Sequence, residues 1–203
     1  MININRTPSS RIGYGLYLYF LGLSTRKVAK ALSFLHVVKT SHVAVRKWIR
    51  KHRPKRTSSK RKRVFEFIVD ETAIKVGSEY VWLWAAIEPK NRKILAITVS
   101  KERNMFVAER FIAGLAKAHG KHPVSTDGGT WYPQACRFLK LGHHIHSPYE
   151  KSIIERTMQY IKDRTECFDD CFPCGRRKGC DFPHIKNWLS LFATMHNKEM
   201  QNA

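Results

Sequence analysis

The chain has 203 residues, 43% of them hydrophobic, and a formal net charge of +21. This length and apolar content exclude a disordered chain and leave room for one sizeable core plus a small appendage, since single domains commonly run to about 100–150 residues. The charge is lopsided: residues 1–63 hold 17 Lys or Arg and no Asp or Glu, so the first third carries +17 of the +21.

A block of that composition repels itself unless a polyanion neutralises it, with nucleic-acid phosphate the first candidate and an anionic membrane surface the second. The apolar run 14–23 falls short of the ~20 residues that span a bilayer. No small-residue cleavage site follows it, so the expectation is an intracellular, cytoplasmic protein with no membrane partner.

Within the basic third, Leu16, Tyr19, Phe20 and Leu23 fall at helical spacing. Ser24 or Thr25 can cap a second helix whose apolar face is Val28, Ala31, Leu32 and Leu35. Thr40 or Ser41 can cap a third, with Val45, Trp48, Ile49 and His52 as its stripe and His42, Arg46, Lys47, Arg50 and Lys51 on the other face. Two short helices joined by a turn, the second with cations outside an apolar stripe, predict a helix-turn-helix domain over residues 1–52. Ser41, His42, Ala44, Arg46 and Lys47 then face base edges of double-stranded DNA, and Arg50 and Lys51 lie nearer phosphate. The alternative is a three-helix bundle with a solvated basic face. Residues 53–63 carry seven basic residues and no apolar one, and predict a linker.

Residues 64–203 predict a second domain. Val64 to Val69, Val81 to Ile87 and Ile94 to Val99 read as strands, with a hairpin turn at 88–91. Residues 104–118 read as a helix with Phe106, Val107, Phe111, Ile112, Leu115 and Ala116 inward. Val124 to Thr126 is a short strand, Thr130 caps a helix to Leu139, His143 to Ser147 is a fifth strand, and 151–165 and 185–196 are helices. Three strands in a meander, then helix, strand, helix, strand, helix is an α/β order with a mixed sheet flanked by helices, the order of the ribonuclease-H-like fold.

Two strands end in acids, Asp70 and Asp127, and strand ends are where open α/β sheets place reactive groups. On the long helix, Ile154, Met158 and Ile161 form the buried stripe, which sets Glu155, Gln159 and Lys162 on its border. Glu155 is therefore the third candidate carboxylate, ahead of Glu150, Glu166, Asp169 and Asp170. Three carboxylates without a nearby His or Cys suit a hard divalent ion, Mg²⁺ first and Mn²⁺ as a substitute. Taken singly, each acid reads as a turn or solvated surface residue.

Together, Val69-Asp70-Glu71-Thr72, Ser125-Thr126-Asp127-Gly128-Gly129 and Ile153-Ile154-Glu155-Arg156 followed by Lys162 resemble the three motifs of the DDE-type insertion-sequence transposases, in the integrase and ribonuclease-H-like superfamily. The resemblance spans nearly the whole chain. It implies that Asp70, Asp127 and Glu155 are the metal-binding catalytic triad of a two-metal polynucleotidyl transferase, and that Lys162 contacts the transposon end. It also implies DNA ends and target as substrates, a homodimer or larger assembly on DNA, and work at a prokaryotic nucleoid. The 27 residues between Asp127 and Glu155 are fewer than in many members. Two rivals remain: a structure-specific ribonuclease-H-like nuclease, and a non-catalytic helix-turn-helix DNA-binding protein or inactive transposase remnant.

Four further readings concern single residues. Trp131 and Tyr132 read as core before base-stacking residues, and Trp82 and Trp84 as strand packing. His143, His144 and His146 read as structural rather than as metal ligands. Cys171, Cys174, Cys180 and His184 form a C-x2-C-x5-C-x3-H pattern that tetrahedral Zn²⁺ accepts, with free thiols as the default.

Overall fold

The computed structural model describes residues 7–52, 64–76, 79–166 and 182–202. The chain divides into two compact units, Met1–Pro54 and Lys55–Ala203. The basic stretch 53–63 and Cys171, Cys174 and Cys180 of the candidate zinc set lie outside the described residues.

The first unit holds α1 (Ser9–Phe20), α2 (Thr25–Phe34) and α3 (His42–Lys51). Ser24 and Ser41 cap α2 and α3, their hydroxyls accepting from the Lys27 and Ala44 amides, each at 3.2 Å. Leu16, Tyr19 and Phe20 of α1, Val28, Ala29 and Leu32 of α2, and Val45 and Ile49 of α3 are buried and make the small core. Gly15 sits where a Cβ would come within 3.0 Å of the Trp48 ring, so its missing side chain lets α1 approach α3. Leu35, expected on the apolar face, is the C-cap of α2 and is exposed, and Ala29 is buried in place of Ala31. The helix stops at Phe34, one residue short of the last position in the apolar spacing. His42, Arg46, Lys47, Arg50 and Lys51 are all exposed.

The second unit is a five-stranded sheet in the order β3-β2-β1-β4-β5, from β1 (Phe67–Val76), β2 (Glu79–Ile87), β3 (Ile94–Ser100), β4 (Val124–Thr126) and β5 (His143–Ile145). The first three pair antiparallel, and β4 and β5 join in parallel. Four helices flank the sheet: α4 (Met105–His119), α5 (Trp131–Leu139), α6 (Pro148–Glu166) and α7 (Phe182–Asn202). This is the ribonuclease-H-like arrangement expected from element order. No helix among the described residues is long and apolar enough to cross a membrane.

Alternation along β1 decides what each face receives. Phe67 and Val69, with Trp84 and Ala86 of β2, form one core with Val107, Ala108, Phe111, Ile112 and Leu115 of α4 and Tyr132, Ala135 and Cys136 of α5. Ile68, Asp70 and Thr72 face the other way, paired with Ile87, Ala85 and Leu83. There α6 lies against β1, and α7 against β3. Phe106, expected inward on α4, is 69% exposed, and Ala108 takes the buried position.

Two expectations need correction. Strand β1 begins at Phe67, not Val64, and runs through Asp70 to Val76, because β2 pairs with it along the whole length from Ile68↔Ile87 to Val76↔Glu79. Asp70 is therefore mid-strand, not terminal. Helix α6 begins at Pro148 rather than 151, since Ser147 and Glu150 form a capping box: the Ser147 amide donates to Glu150 Oε2 at 2.6 Å and the Glu150 amide to Ser147 Oγ at 3.4 Å. Proline is suited to the first helical position between them. Thr130, by contrast, stands at the N-cap of α5 without a side-chain capping bond.

Trp84 is fully buried at the centre of the first core, its ring nitrogen donating to Ser100 Oγ at 2.7 Å. Trp84→Ala is expected to cost about 3–5 kcal/mol, the range for emptying a buried aromatic site, measured by urea unfolding of the full-length chain.

Candidate active site

Asp70, Thr72, Glu155, Arg156, Met158, Gln159 and Lys162 line one cleft of about 470 Å³ with their side chains on the same side of β1. Its floor is β1 and its wall is α6. Because Ile154, Met158 and Ile161 are buried against the sheet, the neighbouring helical border carrying Glu155, Gln159 and Lys162 is brought to the cleft edge. Glu155 is exposed there, with Lys151 Nζ 3.9 Å from its Oε1.

Asp127 arrives by a different route. Phe67 pairs with Val124 and Ile68 with Ser125, and the same register carried two residues onward sets Asp127 beside Asp70. Past β4 the chain turns through Gly128, whose φ of +90° is open to glycine at little cost. The Gly129 amide donates to Asp127 Oδ1 at 3.0 Å, which fixes the carboxylate.

Asp70 accepts a hydrogen bond from the Glu71 amide at 2.8 Å. Its carboxyl is nevertheless raised from 3.8 to about 7, by burial first, and then by the charges of Glu71, Asp127 and Glu155, against which that hydrogen bond acts. The charges of Asp127, just after β4, and of Glu155, on α6, thus reach Asp70 on β1, and the arrangement favours a compensating cation.

The donor set fits a divalent ion on its own chemistry. It consists of carboxylate oxygens, the hard donors that such an ion takes.

Sequence reasoning quoted Glu71 within a motif but gave it no role. Its side chain is fully buried on the opposite face of β1 from Asp70, with Arg103 Nε and a terminal guanidinium nitrogen both 2.7 Å from Oε1. Tyr132 donates its hydroxyl to Oε2, and burial and the Glu71 charge hold that phenol well above its usual range. The Arg103 guanidinium lies between Trp82 and Trp131, 4.5 and 4.4 Å from their ring centres. Tyr132 is fully buried, so both aromatics after Asp127 serve packing, as do Trp82 and Trp84. This network ties the residue after Asp70 to the helix that follows Asp127. Only the Glu71 position beside Asp70 was visible in the sequence; Arg103 is 32 residues away.

The three histidines after β4 are engaged: His143 Nε2 lies 2.8 Å from Thr126 Oγ1, His146 Nδ1 is 2.7 Å from Ser125 Oγ, and His144 Nε2 is 3.0 Å from Glu66 Oε1.

Two measurements test this geometry. Arg103→Ala leaves Glu71 buried without its cation, and should destabilise by about 3 kcal/mol, the low end for a broken buried pair because Arg103 is one-third exposed. Glu71→Ala combined with Arg103→Ala should cost less than the sum of the two single changes in urea unfolding. The second test concerns pH. With no divalent ion, folded Asp70 keeps a proton between pH 4 and about 7 that the unfolded chain has released, so its contribution to stability is lost as pH rises through that window. Wild type should therefore lose stability relative to Asp70→Asn between pH 5 and 8, and added Mg²⁺ should narrow the gap.

Comparison with known proteins gives a consistent picture. The matching family model, described as a DDE domain of the IS240 transposase type, covers residues 64–170. An uncharacterized protein of Methanocaldococcus jannaschii is 31% identical over 181 residues, 89% of this chain and 82% of that protein. The transposase for insertion sequence element IS257 in transposon Tn4003 of Staphylococcus aureus is 28% identical over 164 residues, 75% of this chain and 72% of that one. Among solved structures, the catalytic core domain of BIV integrase is 17% identical with a TM-score of 0.47, over 64% of this chain and 80% of that chain. The HTLV-2 integrase catalytic core domain in complex with magnesium, in dimeric form, is 16% identical with a TM-score of 0.41, over 50% and 68%.

Proposed function

The chain belongs to the DDE-domain transposase family, and from that premise we propose that it binds the ends of an insertion sequence, cuts DNA strands there and joins them to a target. The observation that supports the reading is that Asp70 and Glu155 line one cleft while the Asp70 carboxyl senses the charges of both Asp127 and Glu155.

In this reading Asp70, Asp127 and Glu155 hold Mg²⁺, or Mn²⁺ in its place. When bound, a pair of such ions supplies an activated oxygen nucleophile and neutralises charge at the transferring phosphate. The chain's own part is positional. Glu71, Arg103 and Tyr132 fix the separation of the first two carboxylates, α6 sets the third, and Lys162, on the same cleft wall, meets a phosphate of the element end. Water and then the exposed 3′-hydroxyl attack, and no side chain forms a covalent bond to DNA.

Residues 1–52 act as a helix-turn-helix domain that presents Ser41, His42, Arg46 and Lys47 to base edges and Arg50 and Lys51 to phosphate. Their exposure on one helix, and the absence of any acid in residues 1–63, support this. Residues 53–63 link it to a catalytic domain over 64–203. Paired ends must be processed together, so the working form is a homodimer or larger assembly on DNA, in the cytoplasm at the nucleoid. The zinc set of Cys171, Cys174, Cys180 and His184 has no part in this chemistry.

An in vitro assay with the element's own ends and a supercoiled target tests the reading. Metal-dependent cleavage followed by joining is expected. Cleavage without joining identifies a nuclease, and binding without cleavage a regulator or an inactive remnant. Asp70→Asn should abolish cleavage while leaving DNA affinity nearly intact, and lost affinity would count against the metal-site assignment. Arg46→Ala with Lys47→Ala should weaken end binding by roughly tenfold or more and flatten its salt dependence, as expected when two phosphate or base contacts are removed; unchanged affinity sinks the recognition-helix assignment.

A further inference from the structure

A second group of metal-ligating side chains lies on the same sheet face as Asp70, below the first turn of α6. Glu66 precedes β1, His144 is in β5 and Glu150 is in the first turn of α6, and one donor atom from each lies within 4.8 Å of the others. His144 Nε2 is 3.0 Å from Glu66 Oε1 and 3.4 Å from Glu150 Oε1. Those spacings match the edges of a tetrahedral coordination shell, since ligands about 2.0–2.1 Å from one ion stand roughly 3.3 Å apart.

The contacts around the group are those of a built site. Glu150 spends Oε2 on the Ser147 amide at 2.6 Å and the Ser125 hydroxyl at 3.2 Å, which leaves Oε1 turned toward His144. Ligating carboxylates are commonly held this way by a hydrogen bond on the other oxygen. Glu66 Oε1 is buried and accepts no hydrogen bond of good geometry, although the imidazole nitrogen is close by. Glu66 Oε1 and Glu150 Oε1 both face the His144 imidazole nitrogen, where one cation would serve all three. The capping box accounts for Glu150 Oε2 alone; it explains neither Glu66 nor the aim of His144. The His144 side chain is about half exposed, which supplies an entry path and room for a water as fourth ligand.

We propose that Glu66, His144 and Glu150 bind one divalent transition-metal ion, Zn²⁺ first, at a site separate from the Asp70, Asp127 and Glu155 cleft. The imidazole donor selects a borderline-soft ion over Mg²⁺. Bound there, the ion staples the start of α6 to β5 and to the chain entering β1, and so sets the height of Glu155 over the sheet.

The test uses the full-length chain carrying Asp70→Asn, so that the result does not depend on the transferase reading, with Cys171→Ser and Cys174→Ser to remove thiolate competition. The stripped protein is dialysed against micromolar Zn²⁺, its metal content measured by plasma mass spectrometry and its ligand atoms by X-ray absorption at the zinc edge. The expected result is about one zinc per chain held by nitrogen and oxygen at about 2.0–2.1 Å, with affinity reduced roughly tenfold or more in His144→Ala and in Glu66→Gln, a loss of the size seen when metal-site partners are removed. Circular dichroism reports folding, and Glu66→Gln, which keeps the side-chain shape, decides the matter if His144→Ala does not fold. Retention of no zinc by the parent chain, or undiminished zinc in Glu66→Gln, overturns the proposal.

Discussion

The burial of Glu71 is the constraint on which the site rests. A carboxylate sealed inside a small α/β core is costly unless it is paired and hydrogen-bonded. Here one oxygen takes the Arg103 guanidinium and the other the Tyr132 hydroxyl. Arg103 must in turn cross from the loop before α4 and lie between Trp82 and Trp131. The partners come from β2, the loop before α4, and α5, so satisfying one charge fixes the spacing of three elements around the end of β4. Asp127, four residues before Trp131, inherits that fixed position.

The arrangement trades repulsion on one face against attraction on the other. Burial first, and then the charges of Glu71, Asp127 and Glu155, hold the Asp70 carboxyl above its usual range. Such groups hold their positions only when surrounding structure over-determines them. Each is seated by something that does not share in the repulsion: Asp70 by a ten-residue strand paired along its length, Asp127 by the Gly129 amide, and Glu155 by the apolar stripe of α6. Three unrelated sources of rigidity, hydrogen-bonded strand, tight turn and packed helix, thus meet around Asp70.

Much of this was legible in the sequence, and the failures have physical causes. Element order, with short apolar runs alternating with helical stripes, was enough for the mixed sheet and its helices. The stripe Ile154, Met158, Ile161 located Glu155 on a border because helical periodicity is strict across a long helix. Asp70 was misplaced at a strand end because an acid after an apolar run reads as a stop, while the continuation through Val76 depends on pairing with β2, a non-local term. Leu35 and Phe106 were assigned inward because apolarity alone does not say where a helix ends or which of two adjacent residues faces the core. The start of α6 has a local signal: Ser147-Pro148-Tyr149-Glu150 carries both a capping box and a proline at the first helical position. The Arg103 partnership had no local signal at all, since a guanidinium that crosses 32 residues to one carboxylate follows from the folded topology alone.

Adjacent acids on a strand explain why this division of labour is robust. Side chains alternate strictly, so Asp70 and Glu71 cannot occupy the same face. A slip of one residue in the pairing of β1 with β2 would carry Glu71 into the open cleft and drive Asp70, with a shorter side chain, into the cavity among Arg103, Trp82, Trp131 and Tyr132. It would also turn Phe67 and Val69 out of the first core. The register that Phe67, Val69, Trp84 and Ala86 secure by packing is therefore the same register that selects which acid faces the cleft and which one is buried as an anchor. The apolar residues of β1 thus determine which face of the strand each acid takes.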